Sequence, residues 1–354
     1  MSQNRSRAPA AISLSRRQAL TLAVAALPLV GMQALQPAQA QNAPGTLLNV
    51  SYDVARELYK QVNPAFVTYW KGKTGQTVTV NQSHGGSSKQ IGSVIGGLEA
   101  DVVTMNQATD VDTLAEKGLT SADWRQRFPN GAAPYSSTML FLVRKGNPKQ
   151  IKDWNDLARA GVQVIIPNPK VTGNGRYGYL AAWGSVIAKG GTDAQAKDLL
   201  TRILTNVPVL DGGGRGATTT FTQRGIGDVL LTFESEAELI ENEFGKGQFE
   251  VVYPSISIEA DAPVAVVDKV VAKKGSAALA KAYLDFLWTP EAQEIIARNN
   301  FRPRDPNVLK KHAQRFAPIK LFGVDQTLGG WAKVSKTHFA DGGQYDQIMA
   351  SLKR

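Results

Sequence analysis

The sequence contains no cysteine and only three histidines in 354 residues. The absence of cysteine excludes disulfide bonds, thiolate metal sites and a cysteine nucleophile. Because His84, His312 and His338 are too few and too scattered to suggest a zinc site, we expect neither a metal nor a cofactor. A chain of this length, with 43% hydrophobic and 20% charged residues, can bury a large core, which excludes a disordered or fibrous protein.

Familiar motifs of nucleotide binding and hydrolysis are also missing. The chain has no Gly-x-x-x-x-Gly-Lys-Ser/Thr loop, no Gly-x-Ser-x-Gly elbow and no His-Glu-x-x-His pair. His84 lies near Ser87 in the sequence, as a base lies near a nucleophile, but no third residue can be assigned to orient the imidazole. The sequence therefore favours a binding protein over an enzyme, and a sulfuryl or phosphoryl hydrolase is the less favoured alternative.

Acidic residues are absent from the first 40 positions, which carry four arginines of a chain whose net charge is +10. The remaining sequence has 36 basic and 30 acidic residues, a net charge of +6. This surplus is scattered and forms no basic run of the kind that follows a phosphate backbone. We therefore expect no nucleic-acid partner.

Residues 1–40 have the three parts of an export signal. Arg16 and Arg17 precede an apolar run over residues 19–30, and small residues end the segment at Ala38 and Ala40. Adjacent arginines in this place are typical of twin-arginine signals. The run is too short to span a bilayer stably. We expect cleavage near Ala40 and a periplasmic mature chain.

From residue 47 onward, short apolar runs alternate with longer amphipathic stretches. This alternation is typical of βαβ units and predicts an α/β fold with mostly parallel sheets. The predicted strands include residues 47–51, 78–81, 101–105, 137–143, 162–166, 251–253 and 264–267. The predicted helices include residues 88–98, 111–117, 176–188, 193–204, 276–288 and 290–298.

Two stretches of the chain resemble each other and suggest two lobes of similar construction. Residues 97–104 and 225–232 each predict a helix that passes through a glycine into a strand led by aspartate. The expected crossings between the lobes lie near residues 134–138 and 255–263. We therefore predict a first lobe of residues 47–135 and 260–354 and a second of 136–259, with the ligand in the cleft between them.

Four segments share a strand end, small residues and the start of a helix. A helix start leaves unpaired backbone N–H groups and a partial positive charge, and glycines let an anion approach them. Such a site can bind a small multivalent anion without a charged partner. The segments cover residues 51–53, 84–88, 171–175 and 211–218.

The chain resembles the periplasmic sulfate- and thiosulfate-binding proteins of ABC importers over residues 47–350. The family fold is the type II periplasmic binding protein, in which two lobes joined by two crossover segments close on the ligand. The resemblance is carried by NVSYDVAREL at 49–58, QSHGGSSKQ at 82–90, FLVRKGNPK at 141–149, PNPK at 167–170, LAAWG at 180–184, GGRGATTTF at 213–221 and GGWAK at 329–333.

The resemblance also implies how the ligand is bound, namely by neutral donors. Sulfate-binding relatives hold the anion with backbone N–H groups, two hydroxyl groups and an indole N–H. The backbone donors correspond to Asp53, Gly173, Asn174 and Gly214. The hydroxyl donors correspond to Ser87 and Thr172, and the indole position is occupied by Phe233, which has no donor.

The aromatic ring of Phe233 bears on which anion is preferred. An apolar ring tolerates the weakly hydrogen-bonding terminal sulfur of thiosulfate better than an oxygen, so we expect thiosulfate to bind at least as well as sulfate. Phosphate still carries a proton at neutral pH and needs an acceptor, which a cradle of donors lacks. This discrimination requires the Asp53 carboxylate to point away from the ligand and cap its own helix.

The family also implies partners. A membrane permease and its ATPase would recognise the closed form of the receptor, which we expect to be a monomer. A receptor for another tetrahedral oxyanion, such as molybdate or tungstate, has the same fold logic and differs chiefly in the size of its cleft.

Overall fold

A computed structural model describes residues 45–244 and 247–352, and the predicted signal segment lies outside them. None of the helices in these ranges is both long and apolar enough to cross a membrane. The strands of the described ranges are β1 (Thr46–Tyr52), β2 (Thr79–Gly85), β3 (Val102–Thr104), β4 (Tyr135–Arg144), β5 (Val164–Pro167), β6 (Leu210–Asp211), β7 (Val229–Phe233), β8 (Phe249–Val252), β9 (Ile256–Asp261), β10 (Val264–Val266), β11 (Arg302–Pro303) and β12 (Lys320–Phe322).

Helices of the same ranges alternate with these strands through most of the chain. They are α1 (Arg56–Thr74), α2 (Ser87–Ile95), α3 (Ala108–Glu116), α4 (Pro129–Ala132), α5 (Trp154–Leu157), α6 (Gly173–Ile187), α7 (Asp193–Thr205), α8 (Gly214–Thr222), α9 (Glu234–Phe244), α10 (Asp268–Lys274), α11 (Ala277–Phe286), α12 (Pro290–Arg298), α13 (Pro306–Lys311), α14 (Val324–Leu328), α15 (Trp331–Val334) and α16 (Gln344–Leu352). A short 3-10 turn, Asp53–Ala55, separates β1 from α1.

Helix α1 illustrates how the sequence directs these elements. Leu58, Val62 and Phe66 recur at helical spacing and are all buried, so they form the core-facing stripe that the periodicity predicts. The helix ends at Gly75, whose φ of 75° lies in the left-handed region that glycine adopts without steric cost. The expected alternation of strands and helices is confirmed.

The first sheet has the order β10-β3-β1-β2. Strand β1 pairs in parallel with β2 and β3, and β10 is antiparallel to β3. Helices α1, α2, α3, α11 and α12 cover the sheet and bury one hydrophobic core with it. The residues of this core come from positions 47–135 and 262–301, which we call the first lobe.

The second sheet is built around the long strand β4 and has the order β12-β9-β4-β7-β5-β6. Strands β7, β8 and β9 are antiparallel to β4, whereas β5 is parallel to β6 and β7. The prediction of mostly parallel sheets is therefore wrong here, because β7, β8, β9 and β11 all pair antiparallel with β4. Successive residues of β4 enter two different cores on opposite faces of the sheet.

The end of the chain does not pack where the sequence analysis placed it. Phe322, Trp331, Phe339 and Ile348 lie in the core of the second sheet, although residues 260–354 were expected in the first lobe. Strand β12 also pairs with β9 in the second sheet. These apolar side chains pack against α6 and α7, so the end of the chain belongs to the same lobe as those helices. We call residues 136–261 and 302–352 the second lobe.

The chain therefore crosses between the lobes three times rather than twice. The two predicted crossings are β4 and β9, which pair antiparallel at residues 136–138 and 259–261. The third crossing is β11, which pairs with the start of β4. Three adjacent strands thus connect the lobes.

Ion pairs fix the third crossing to the second lobe. Arg302 binds the buried carboxylate of Glu234 with two hydrogen bonds of 2.7 and 2.8 Å, and the Tyr253 hydroxyl donates a third of 3.0 Å. Arg304 pairs with Glu259 at 2.9 Å and with Asp261 in β9. Arg302 and Arg304 thereby tie the third crossing to α9 and β9 of the second lobe.

We predict that Arg302→Met lowers the free energy of unfolding by about 3 kcal/mol, because it leaves the Glu234 carboxylate buried without a cation. Urea unfolding of the ligand-free chain measures the change. The control is Lys281→Met, which breaks the exposed pair with Asp285 and should cost less than about 1 kcal/mol. Equal costs for the two variants would contradict the prediction.

Candidate functional site

The predicted segments of the two lobes meet at the junction between them. A Cβ atom on Gly86, in the loop after β2, would lie 3.6 Å from the carbonyl oxygen of Gly212, in the loop before α8. Asp53, after β1, accepts a hydrogen bond of 3.4 Å at Oδ2 from the backbone N–H of Arg215 in α8. Two loops of the first lobe therefore face the first turn of α8 in the second lobe.

The start of α6 lies at the same junction. Thr172 caps this helix, since its hydroxyl oxygen accepts a hydrogen bond of 3.0 Å from the N–H of Gly175. A Cβ atom on Gly173 would collide with the side-chain oxygen of Asn106, which lies just after β3 in the first lobe. Glycine at position 173 therefore leaves room for the Asn106 amide between the lobes.

Helices α6 and α8 begin next to each other. A Cβ atom on Gly214 would lie 2.9 Å from Nδ2 of Asn174 and 3.3 Å from Cγ2 of Val54. Asn174 is buried, and both polar atoms of its side chain have no hydrogen-bond partner within the described ranges. The first turns of two helices in the second lobe thus face the turn after β1.

The helix ends that meet at the junction all carry a partial positive charge. Helices α2, α6 and α8 all begin here, and the N–H groups of a first helical turn have no carbonyl partner within their helix. Aligned peptide dipoles add a partial positive charge at each helix start. An arrangement of this kind favours a small anion that accepts hydrogen bonds from several directions.

Ser87 lies at the predicted place, but its hydroxyl group is already bound. It donates a hydrogen bond to the buried carboxylate of Asp110, which also accepts from Ser88 at 3.1 Å and from Gln107 at 2.8 Å. Burial raises the pKa of Asp110. A buried carboxylate needs donors, and this need explains the orientation of the Ser87 hydroxyl.

The Thr172 hydroxyl hydrogen is likewise engaged, because it donates to the carbonyl oxygen of Asn168 at 2.9 Å. Both predicted hydroxyl groups thus have acceptors within the protein. The backbone N–H groups of the helix starts carry most of the polarity of the junction.

The two carboxylate oxygens of Asp53 accept hydrogen bonds from N–H groups of different lobes. Oδ1 accepts a hydrogen bond of 3.0 Å from the N–H of the next residue, Val54. Oδ2 faces the N–H of Arg215 across the junction and does not point away from it. Burial raises the pKa of Asp53 despite these hydrogen bonds.

Phe233 ends β7 and is 3% exposed. Its ring packs edge-on against Tyr177, with the ring centres 5.7 Å apart. Together with Asn106, Tyr52 and Ser137 it lines a cavity of about 10 Å³ beneath the junction, enough for one water molecule. The side chain at position 233 offers no hydrogen-bond donor to this space.

The positive charge of Arg215 is balanced locally. Its Nε atom lies 3.5 Å from Oε1 of Glu236, and the same oxygen accepts a hydrogen bond of 2.9 Å from Thr218. Its Nη1 atom lies 3.7 Å from Oε2 of the exposed Glu243. Burial raises the pKa of Glu236 to about 7.

Sequence reasoning did not assign a site role to Asn106, Asp110 or Glu236. Asn106 and Asp110 follow a buried strand at its carboxyl end, where ligands bind in open α/β sheets, so their position was a usable signal. Glu236 lies in the first turn of α9, where an acidic residue is common, so the sequence carries no sign of its burial. In the structure it is buried and contacts Thr218 and Arg215 of α8.

The chain belongs to the bacterial extracellular solute-binding proteins, because the sequence profile of that family matches residues 38–302. The thiosulfate-binding protein of Pseudomonas aeruginosa is 59% identical over 312 residues, which cover 88% of this chain and 94% of that protein. The sulfate-binding protein of Salmonella typhimurium is 56% identical over 303 residues, which cover 85% of this chain and 92% of that protein. The resemblance stated from the sequence is confirmed.

Solved structures confirm the two-lobed α/β fold of the type II periplasmic binding proteins. The sulfate-binding protein of Mycobacterium tuberculosis matches with a TM-score of 0.75 at 32% identity, covering 83% of this chain and 99% of that one. The ferric binding protein of Campylobacter jejuni matches with a TM-score of 0.57 at 18% identity, covering 85% and 99%, and shows the fold alone.

We predict that Glu236→Gln stabilises the ligand-free chain increasingly as the pH rises. Between pH 4.5 and about 7 the native carboxyl retains a proton that the unfolded chain has lost, so the stability of the unmodified chain falls with rising pH. The variant has no such proton, and its advantage should reach about 3 kcal/mol above pH 7.

Urea unfolding in chloride buffers from pH 4.5 to 8 measures this difference. The matched control is Glu243→Gln, which removes the exposed carboxylate beside the same arginine and should change stability by less than about 0.5 kcal/mol at every pH. A difference for Glu236→Gln that does not vary with pH would contradict the prediction.

Proposed function

We propose that this chain is an exported receptor that captures sulfate or thiosulfate and delivers it to an ABC importer. The observation that carries the proposal is the meeting of three helix starts and the Asp53 turn at one junction between the lobes. Their N–H groups can surround a tetrahedral anion. The relatives that are named for thiosulfate and sulfate support these two ligands.

The proposed donors are mainly backbone groups. The N–H groups of Asp53, Gly173, Asn174 and Gly214 would contact the anion. The hydroxyl hydrogens of Ser87 and Thr172 can rotate toward it from their present acceptors, because a hydroxyl group is free to turn about its C–O bond. Each of these residues lies at the start of a helix or 3-10 turn or, as Thr172 does, caps one.

The environment of Phe233 favours thiosulfate. Its buried ring bounds one side of the small cavity beneath the junction and supplies no donor there. A terminal sulfur is larger than an oxygen and accepts weaker hydrogen bonds, so it loses less against an aromatic wall. We propose that thiosulfate binds at least as tightly as sulfate.

Binding without turnover fits the polar contacts. The ring nitrogens of His84 contact Gln82 and, at 3.3 Å, the carbonyl oxygen of Tyr52, whereas the Ser87 hydroxyl is bound to Asp110. These contacts direct the histidine and the serine to different partners. They support a receptor rather than a hydrolase that uses the two as base and nucleophile.

The remaining parts of the proposal follow from the export signal and the two lobes. The mature chain would begin after cleavage near Ala40, reside in the periplasm and act as a monomer. Closure of the lobes on the anion would create the surface that a membrane permease and its ATPase recognise.

Calorimetric titration tests the ligand. The purified chain, refolded to remove any bound anion, is titrated with thiosulfate, sulfate, molybdate and phosphate in turn. We expect saturable binding of thiosulfate and sulfate, with thiosulfate at least as tight. Because Oδ2 of Asp53 faces the junction, binding of phosphate would show that this carboxylate accepts the phosphate proton, and silence from phosphate would show that it does not. Tighter binding of molybdate would make the chain a receptor for another oxyanion, and silence from all four would remove the proposal.

We predict that Gly214→Ala weakens binding of both anions at least tenfold. The added methyl group would lie 3.3 Å from Cγ2 of Val54 in the first lobe, tighter than an ordinary van der Waals contact, so it would act as a wedge that holds the lobes slightly apart. The nearer atom, Nδ2 of Asn174 at 2.9 Å, belongs to the same lobe as Gly214. Gly212→Ala is the matched control, because a Cβ atom there meets no atom within 4 Å. The same titration compares the variants, and equal affinities would contradict the wedge.

A further inference from the structure

Asn106 has a buried polar side chain whose oxygen is not hydrogen-bonded by the rest of the fold that the structure describes. It lies in the first lobe between β3 and α3 and is 6% exposed. Its side-chain oxygen is buried and has no hydrogen-bond partner among residues 45–244 and 247–352. Leaving a buried acceptor unpaired costs on the order of 1–3 kcal/mol, so its retention calls for a reason outside the fold.

Its position supplies the reason. The amide group of Asn106 lies against the first residue of α6, where a Cβ atom on Gly173 would be 2.9 Å from Nδ2. Glycine at that position leaves room for the amide between the lobes. Asn106 is therefore the side chain of the first lobe that reaches the polarised start of α6.

Asn106 also shares the small cavity with Phe233. An anion at the junction requires donors around it, and Phe233 contributes none on its side. Ser137 lines the same cavity, and its buried hydroxyl oxygen also has no partner in the described part of the chain. Unlike Asn106, Ser137 lies on β4 at a crossing between the lobes.

The chemistry of a carboxamide fits a site that is filled by an anion. A half-turn about its last bond exchanges the acceptor Oδ1 for the donor Nδ2 without moving the rest of the side chain. Before binding, the oxygen lies beside the N–H-rich start of α6. After binding, the amide hydrogen can be directed to the anion.

We propose that the side chain of Asn106 donates a hydrogen bond from Nδ2 to the bound anion and thereby supplies the donor that Phe233 lacks. Asn106 is then a specificity-determining residue of the site, provided by the first lobe. This inference rests on the proposed function, since it concerns how the same anion is held.

The test is a double-mutant cycle followed by calorimetry with thiosulfate and sulfate. The purified full chain is compared with Asn106→Ala, Phe233→Trp and the double variant. Asn106→Ala should weaken binding 10- to 100-fold, the range for a hydrogen bond to a charged group. In the double variant the indole N–H enters the vacated cavity and should restore at least tenfold. Phe233→Trp alone should gain less, because the amide still occupies the space.

Two further variants separate a donor from a structural role. Asn106→Asp has nearly the same shape but carries an acceptor and a negative charge, so it should bind neither anion while its thermal unfolding in anion-free buffer remains cooperative. Ser137→Ala removes the other unpaired group of the cavity and should change affinity less than threefold.

Three outcomes would overturn the inference. The first is that Asn106→Ala binds the anions as tightly as the unmodified chain, and the second is that Ser137→Ala loses as much affinity as Asn106→Ala. The third is that Phe233→Trp changes the affinity equally with and without Asn106. In each of these cases the unmodified chain still binds, so the proposed function stands. If the unmodified chain binds neither anion, the proposed function fails and the inference fails with it.

Discussion

The unpaired N–H groups of three helix starts constrain the whole junction between the lobes. Helices α2, α6 and α8 begin there, and a buried N–H group without an acceptor costs free energy. Thr172 satisfies one of these groups by capping α6. Gly173 and Gly214 keep side chains from filling the remaining space. The junction is therefore short of acceptors, and this shortage is the basis for the proposal that a small anion binds there.

Carboxylates do lie near this site, and each is bound by donor groups of the protein. Asp110 is held by the hydroxyl groups of α2, and Glu236 by Thr218 and Arg215. Each is buried, and burial raises its pKa. The attraction of the junction for anions thus comes from backbone dipoles, while the charge of Arg215 in α8 is balanced by Glu236 and Glu243.

The three crossings decide how the helix starts face each other. Strands β4, β9 and β11 lie side by side between the lobes, and Arg302 fixes the last of them to Glu234. Glu234 directly follows Phe233 at the end of β7. The ion pair between Glu234 and Arg302 therefore lies next to the aromatic ring that lines the small cavity. The strands that connect the lobes consequently also supply residues that line the small cavity.

The sequence by itself determined the alternation of strands and helices and the places where α2, α6 and α8 begin, because helical periodicity and small residues at a helix start act over a few positions. Only the tertiary structure decided that residues 322–348 join the second lobe, that Ser87 is bound to Asp110, and that Asn106 lies against Gly173. These partners are distant in the chain, and packing alone brings them together. The helix starts were therefore visible as a local pattern, whereas the side chains that contact them across the junction were not.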